Sequence, residues 1–346
     1  MLLKDYDYEL PSELIAQQPL PNRDDSRMMV LNRSLKTTEH RHFKEIIDFF
    51  GPGDLLVLNN SRVIPARAWA VKINGDEKSI EFLFIKEQKP GVWEVLCRPA
   101  KKVKEGDRLV FDKNLEARVI GRGPLGQRLL EFTTTEVLAR LKEIGVPPLP
   151  PYIKRKKGDP RFKKVDAERY QTVYAERDGS IAAPTAGLHF TESILNELKQ
   201  KGVSIQYVTL NVGLATFQPV RVEKITEHRM LEESFFISQE TAETINLAKK
   251  EGRRVTAVGT TVVRTLESAW TGKGIKAGGQ ATRLFIYPGY DFKVVDRLLT
   301  NFHLPRSTLL MLVCAFAGHD LVMSAYQEAV RERYRFFSYG DCMLIL

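Results

Sequence analysis

The stretch SQETAETINLAKKEGRRVTAVGTTVVRTLESAW (Ser238–Trp270) decides the fold class. It reads as a helix, then a short strand Val255–Val258, then a second helix with Val262, Val263, Leu266 and Trp270 at helical spacing. TESILNELKQKGVSIQYVTLNVG (Thr191–Gly213) repeats the alternation, and FKEIIDFFGPGDLLVLNN (Phe43–Asn60) reads as helix, turn and buried strand. Strands separated by helices of this length build an α/β sheet. Between Val63 and Glu131 the pattern changes to short strand-like pieces: RAWAVKI, SIEFLFIKE, GVWEVLCRP, RLVF, LEARVIG and QRLLEF. Turn signals at Asn74-Gly75, Pro90-Gly91 and Gly121–Gly126 separate them, which predicts a small antiparallel barrel. TEVLARLKEIGVPPLPPYI then gives a helix closed by Gly145 and a proline-rich exit. The expected architecture is an α/β main domain, residues 1–63 plus 150–346, with an inserted small antiparallel β-barrel domain at 64–149.

With 346 residues, 43% of them hydrophobic, the chain can bury a core of that size. The formal charge of +9 suits a polyanionic partner without requiring one. Cys97, Cys314 and Cys342 are widely spaced and odd in number, which fits reduced thiols and not a disulfide scaffold. MLLKDYDYELPSELIAQQ carries acids where a secretory signal needs a basic start. The longest apolar run, LLMLVCAFA (Leu309–Ala317), is half a membrane span and reads as a buried helix. A soluble, cytoplasmic protein is expected, monomeric by default because no feature demands a dimer.

Ligands of α/β sheets bind beyond the carboxyl ends of strands. Five joints of that kind carry polar residues. Asn59, Asn60, Ser61 and Arg62 follow the strand Leu55–Leu58, either as a turn held by Asx hydrogen bonds or as ligand donors. In PTAGLHF, Thr185, Gly187 and His189 precede a helix; Gly187 permits close backbone approach and His189 offers an acid, a base or a hydrogen bond. Gly259, Thr260 and Thr261 open the helix of the first-quoted stretch, with Arg264 one turn on; free N–H groups and two hydroxyls suit a carboxylate or a phosphate. Asn301, His303 and Arg306 precede Ser307, an N-cap for the apolar helix. Asp341 interrupts an apolar tail and needs a partner or a role. IKRKKGDPRFKK (Ile153–Lys164) is basic enough for either a solvated loop or phosphate contact. His189, His228 and His303 with Glu227 and Glu232 lack metal-ligand spacing, so no metal is expected.

LNNSRVIPAR, APTAGLHFT, VGTTVVRTLES, TNFHLPRSTLLMLV and YRFFSYGD, in this order, closely resemble the S-adenosylmethionine:tRNA ribosyltransferase-isomerase family of the queuosine pathway. The resemblance runs from Asp5-Tyr6-Asp7 to the last residues, and it departs at Leu231, where the family's His-x-Met-His-x-Glu pattern has its second His. It implies S-adenosylmethionine as cosubstrate, no metal, and tRNA with a GUN anticodon carrying 7-aminomethyl-7-deazaguanine at the wobble position. The ribosyl portion moves to the aminomethyl group, adenine and methionine leave, and epoxyqueuosine results. On that reading His189 and His303 lead as proton-transfer residues, with His228 third. Thr260 and Thr261 hold the carboxylate, and Asn59, Asn60 and Arg62 orient ribose or base. Thr185, Gly187, Gly259, Arg264, Asn301 and Asp341 complete the substrate site, while Lys154, Arg155, Lys156 and Lys157 meet the tRNA. A non-catalytic RNA-binding module and a methyltransferase are the rival readings. The first lacks a row of barrel aromatics and the second lacks a GxGxxG loop.

Overall fold

The computed structural model describes residues 1–73, 78–112, 115–123, 126–155, 160–213 and 220–346, with backbone alone for 160–163. The chain begins with a hairpin, β1 (Arg27–Asn32) and β2 (Thr37–His42), and continues to β3 (Leu55–Asn59), an apolar run buried at every position. The segment Phe43–Phe49, read above as a helix of the ordinary kind, is a 3₁₀ turn, because Gly51-Pro52 and β3 follow within a few residues. A short β4 (Ser61–Val63) leads into the barrel strands β5 (Arg67–Lys72), β6 (Ile80–Lys89), β7 (Val92–Arg98), β8 (Arg108–Phe111), β9 (Glu116–Arg122) and β10 (Arg128–Phe132). All six coincide with the expected pieces, and they close in the order β10-β7-β6-β5-β8-β9. Alternation does the work: Ile80, Phe82 and Phe84 of β6 point inward with Phe111, Val119 and Leu130.

Helices α1 (Val137–Ile144) and α2 (Pro160–Arg169) bring the chain to β11 (Arg177–Ser180), which pairs with β4 in parallel. Then α3 (Glu192–Gln200), β12 (Ser204–Leu210), β13 (Glu233–Ile237), α4 (Gln239–Lys250), β14 (Val255–Val258) and α5 (Thr260–Ala269) alternate. They are followed by β15 (Gly278–Thr282), β16 (Arg297–Asn301), α6 (Thr308–Ala317), α7 (His319–Arg331) and β17 (Cys342–Ile345). Ser307 caps α6 as expected, accepting from the Leu310 amide at 3.2 Å. No single helix among the described residues is long and apolar enough to cross a membrane.

The sheet order is β15-β13-β12-β3-β14-β16-β17-β1-β2. Strands β12, β3, β14 and β16 run parallel, so their carboxyl ends lie on one side. Strand β17 runs antiparallel to β16 and parallel to β1, with Met28 opposite Cys342 and Leu31 opposite Ile345. Apolar side chains fill both faces, Val57, Ala257 and Val263 on one and Leu56, Leu58 and Val258 on the other. The mixed α/β sheet carrying a closed antiparallel barrel is the architecture the sequence indicated.

Candidate active site

Beyond the carboxyl ends of the parallel strands lies a cavity of about 490 Å³. That is a size typical of small-molecule sites. Gly259 with Thr260, Thr261 and Arg264 of α5 line one side, and Thr300 and Asn301 at the end of β16 with His303 and Arg306 beyond it line another. Thr185 and Ala186 close a third, while Tyr152, Phe302 and Phe337 supply apolar and aromatic surface.

The α5 joint is built for an anion. Gly259 stands at the N-cap with φ +90°, a conformation that side chains with a Cβ adopt only under strain. No side chain caps the helix, so Thr260 and Thr261 are free of that duty. The Val262 amide donates to the Gly259 carbonyl at 3.1 Å, whereas the Thr260 and Thr261 amides have no intrahelical acceptor among the described residues. Arg264 is buried, donating from Nε to the Leu284 carbonyl at 3.0 Å and from Nη1 to Glu233, while its Nη2 is buried with no acceptor among the described residues. A buried guanidinium group with one idle donor is set for a carboxylate. Glu233, the acid that closes the His-x-Met-Leu-x-Glu stretch, went unrecognised in the sequence, because nothing local announces a partner on another element.

His303 is only 8% exposed, and its Nε2 lies 2.8 Å from Thr300 Oγ1. Burial pushes its pKa down to about 3. His189 does not line this cavity. It ends the 3₁₀ turn Thr185–His189, 4% exposed, with Nδ1 2.7 Å from Ser26 Oγ and the ring packed on Phe43. Burial brings it down to about 4, the Asn301 side chain acting in the opposite direction and the charges of Arg23 and Arg335 in the same one. His189 Nε2 and Asn301 Oδ1 are both buried without a well-formed hydrogen bond. Both imidazoles are therefore neutral at pH 7 in the free protein, each with a lone pair open to a proton, and the same burial makes them weak bases there. His189 opens on a separate cleft beside the first, with Ser338 lining both.

The remaining expected site residues sit elsewhere. Asn59 staples the sheet: its Oδ1 accepts from the Ser61 and Leu210 amides, and its Nδ2 donates to the Leu210 carbonyl and, at 3.3 Å, to Thr261. Asn60 donates to Glu176 and accepts from Thr209. Arg62 is exposed and bonds the Ala175 carbonyl, so at this joint the turn reading describes the geometry. At Gly187 a Cβ would fall 2.0 Å from Tyr174 Oη; the close approach it permits is that of a tyrosine. His228 packs edge-on against Phe285, its pKa lowered by burial, and lines neither cavity. Asp341 accepts the amides of Arg27 and Arg335 at 3.0 and 2.8 Å, which gives the buried acid its partners. Arg155 is held bidentate by Asp166 at 2.8 and 2.9 Å, whereas Lys154 is exposed. Lys156 and Lys157 lie outside the described residues. Among the described residues no group of three or more potential ligands is placed to hold a metal.

The family described as Queuosine biosynthesis protein matches residues 3–345. The chain belongs to that family. A relative from Thermotoga petrophila, named S-adenosylmethionine:tRNA ribosyltransferase-isomerase, is 53% identical over 346 residues, all of both chains. One of the same name from Halothermothrix orenii is 52% identical over 349 residues, again covering both chains in full. The crystal structure of the Thermotoga maritima S-adenosylmethionine tRNA ribosyltransferase is 44% identical, with a TM-score of 0.56 over 99% of this chain and 100% of that one.

Proposed function

We propose that the protein is an S-adenosylmethionine:tRNA ribosyltransferase-isomerase that moves the ribosyl group onto the aminomethyl group of 7-aminomethyl-7-deazaguanine at the wobble position of a GUN anticodon, releasing adenine and methionine and leaving epoxyqueuosine. Family membership and the names of full-length relatives support the reaction class. The observation that carries the site is the cavity's division of labour. The Thr260 and Thr261 amides at the start of α5 and the idle Nη2 of Arg264 favour the methionine carboxylate, and the apolar wall of Tyr152, Phe302 and Phe337 favours adenine. His303 faces the same space as a neutral imidazole.

A sulfonium acidifies the neighbouring C5′ protons, and the attacking alkylammonium must also shed a proton, so the site needs acceptors. His303 is the acceptor in the cavity. His189, connected to it through Asn301, takes or holds a proton at its edge. Asn301, Thr185, Thr260 and Thr261 orient the ribose and carboxylate. We also propose residues 64–149 as an inserted unit distinct from the catalytic residues 1–63 and 150–346. One barrel core gathers Ile64 to Leu141, with Ile181 from outside.

The test incubates the protein with S-adenosylmethionine and tRNA bearing the aminomethyl base, followed by mass spectrometry of small molecules and digested tRNA. Adenine and methionine appearing in step with the epoxy nucleoside support the reading. S-adenosylhomocysteine in their place means methyl transfer. His189→Ala should lower turnover far more than S-adenosylmethionine affinity; equal losses would assign it to positioning alone.

A further inference from the structure

Beside the cavity, a second cleft opens to solvent between the 19–26 segment, the end of α2 and Ser338–Gly340. Arg23, Arg169 and His189 line it, and Arg335 lies close enough to depress the His189 pKa. The three guanidinium groups bond to backbone carbonyls. Arg23 donates to Leu188 and Glu168, Arg169 to Pro21 and Leu20 at 2.9 Å each, and Arg335 to Gln18. Arg23 and Arg169 repel one another, and Glu168 meets Arg23 through its carbonyl while its charge offsets part of that repulsion. Of the buried acids nearby, Asp341 accepts two amides and offsets part of the Arg335 charge, while Asp166 is taken up by Arg155 and the Tyr339 hydroxyl. Two guanidinium nitrogens, Arg169 Nε and Arg335 Nη1, are buried with no acceptor among the described residues. Clustered cations with idle donors are unfavourable until an oxyanion arrives.

The size of the cleft selects the anion. Its volume of about 20 Å³ admits one water-sized group. A free phosphate does not fit inside, but one non-bridging oxygen of a chain phosphate does, with the polymer left in solvent. Ser338 lines this cleft and the large cavity alike, and His189 separates them with Asn301 on its far side.

We propose that this cleft holds one backbone phosphate of the RNA, the linkage flanking the nucleotide whose base enters the large cavity. The choice of RNA rests on the ribosyl-transfer reading; the anion chemistry does not. The phosphate anchors the strand from outside while the base is unstacked, and it places negative charge beside His189.

The test uses an anticodon stem-loop RNA in which the linkage on either side of the wobble nucleotide is replaced, one at a time, by a neutral methylphosphonate. Binding to the whole wild-type protein is measured against salt. One of the two substitutions should weaken binding about tenfold and lower the slope of log K against log salt by about 0.7. Arg169→Gln should lose as much on the native RNA and nothing further on the substituted one, with S-adenosylmethionine binding unchanged. If that variant does not fold, the RNA substitutions alone decide, because they leave the protein intact. Equal binding of both substituted RNAs by wild type, or additive losses in the variant, would overturn the phosphate site and leave ribosyl transfer standing. No RNA binding at all by wild type would overturn both.

Discussion

Replacing His303 by glutamine should flatten the acid limb of the protein's stability curve. The imidazole is buried against Thr300, and burial holds its pKa at about 3 against an ordinary 6.5. Between those values the unfolded chain binds a proton that the folded chain refuses, so stability falls as pH falls. At pH 5 that imbalance is nearly one proton, a slope of about 1.3 kcal/mol per pH unit. Integrated from pH 6 to pH 5, the loss through His303 is about 1.2 kcal/mol. His189, held at about 4, loses nearly the same over that interval. His319 has the opposite sign. Its hydrogen bond to Asp320 raises its pKa, so its stabilisation is present in acid and fades as pH rises through the folded value. The wild-type curve mixes these contributions, and a difference between proteins isolates one. Urea denaturation of wild type and His303→Gln at pH 6 and pH 5 gives that difference, glutamine keeping a hydrogen-bonding amide near Thr300. Wild type should lose about 1.2 kcal/mol more than the variant across this unit. Identical losses would mean that His303 titrates like an exposed histidine, and the argument that it is a neutral proton acceptor at pH 7 would collapse.

Glu233→Ala leaves the Arg264 guanidinium buried without its acid and should cost about 3–5 kcal/mol, read as a lower denaturation midpoint together with weakened S-adenosylmethionine binding. Gly187→Ala drives a methyl group into Tyr174 Oη and should destabilise by about 1–3 kcal/mol. Adding Tyr174→Phe should restore part of that, and no recovery would place the clash elsewhere. Arg155→Gln breaks the bidentate pair with Asp166, so its effect should appear in thermal stability, with the salt slope of tRNA binding unchanged.

The elements that announce themselves in the sequence are those whose period is local. All six barrel strands were legible because each alternates within itself and ends in a turn. The α5 joint was legible because Gly259 and two threonines sit between a strand and a helix in one stretch. Edge strands were not: Gly278–Thr282 is polar, shows no apolar alternation, and becomes β15 by pairing with β13. The site divides along the same line. His303 and Arg264 were reachable from the joints they occupy. The contact between His189 and Ser26 spans 163 residues, and the Arg23–Arg169 cleft joins segments that share no pattern. At Asn59 and Asn60 residue type alone does not separate a strand-end staple from a ligand donor, since both tasks call for the same amide.

The place of β17 between β16 and β1 has a consequence for how the chain is made. The hairpin β1–β2 emerges from the ribosome before residues 342–345, yet among the described strands it is these residues that join it to the sheet. A lone two-stranded hairpin is marginal in water. During synthesis the segment at 27–42 therefore waits, while β3, β12, β14 and β16 can already assemble beside one another. Closing a loop of some three hundred residues is the step left for last, and it is a slow one. A chaperone that shields Met28–Leu31 until residues 342–345 have been made would act on this step.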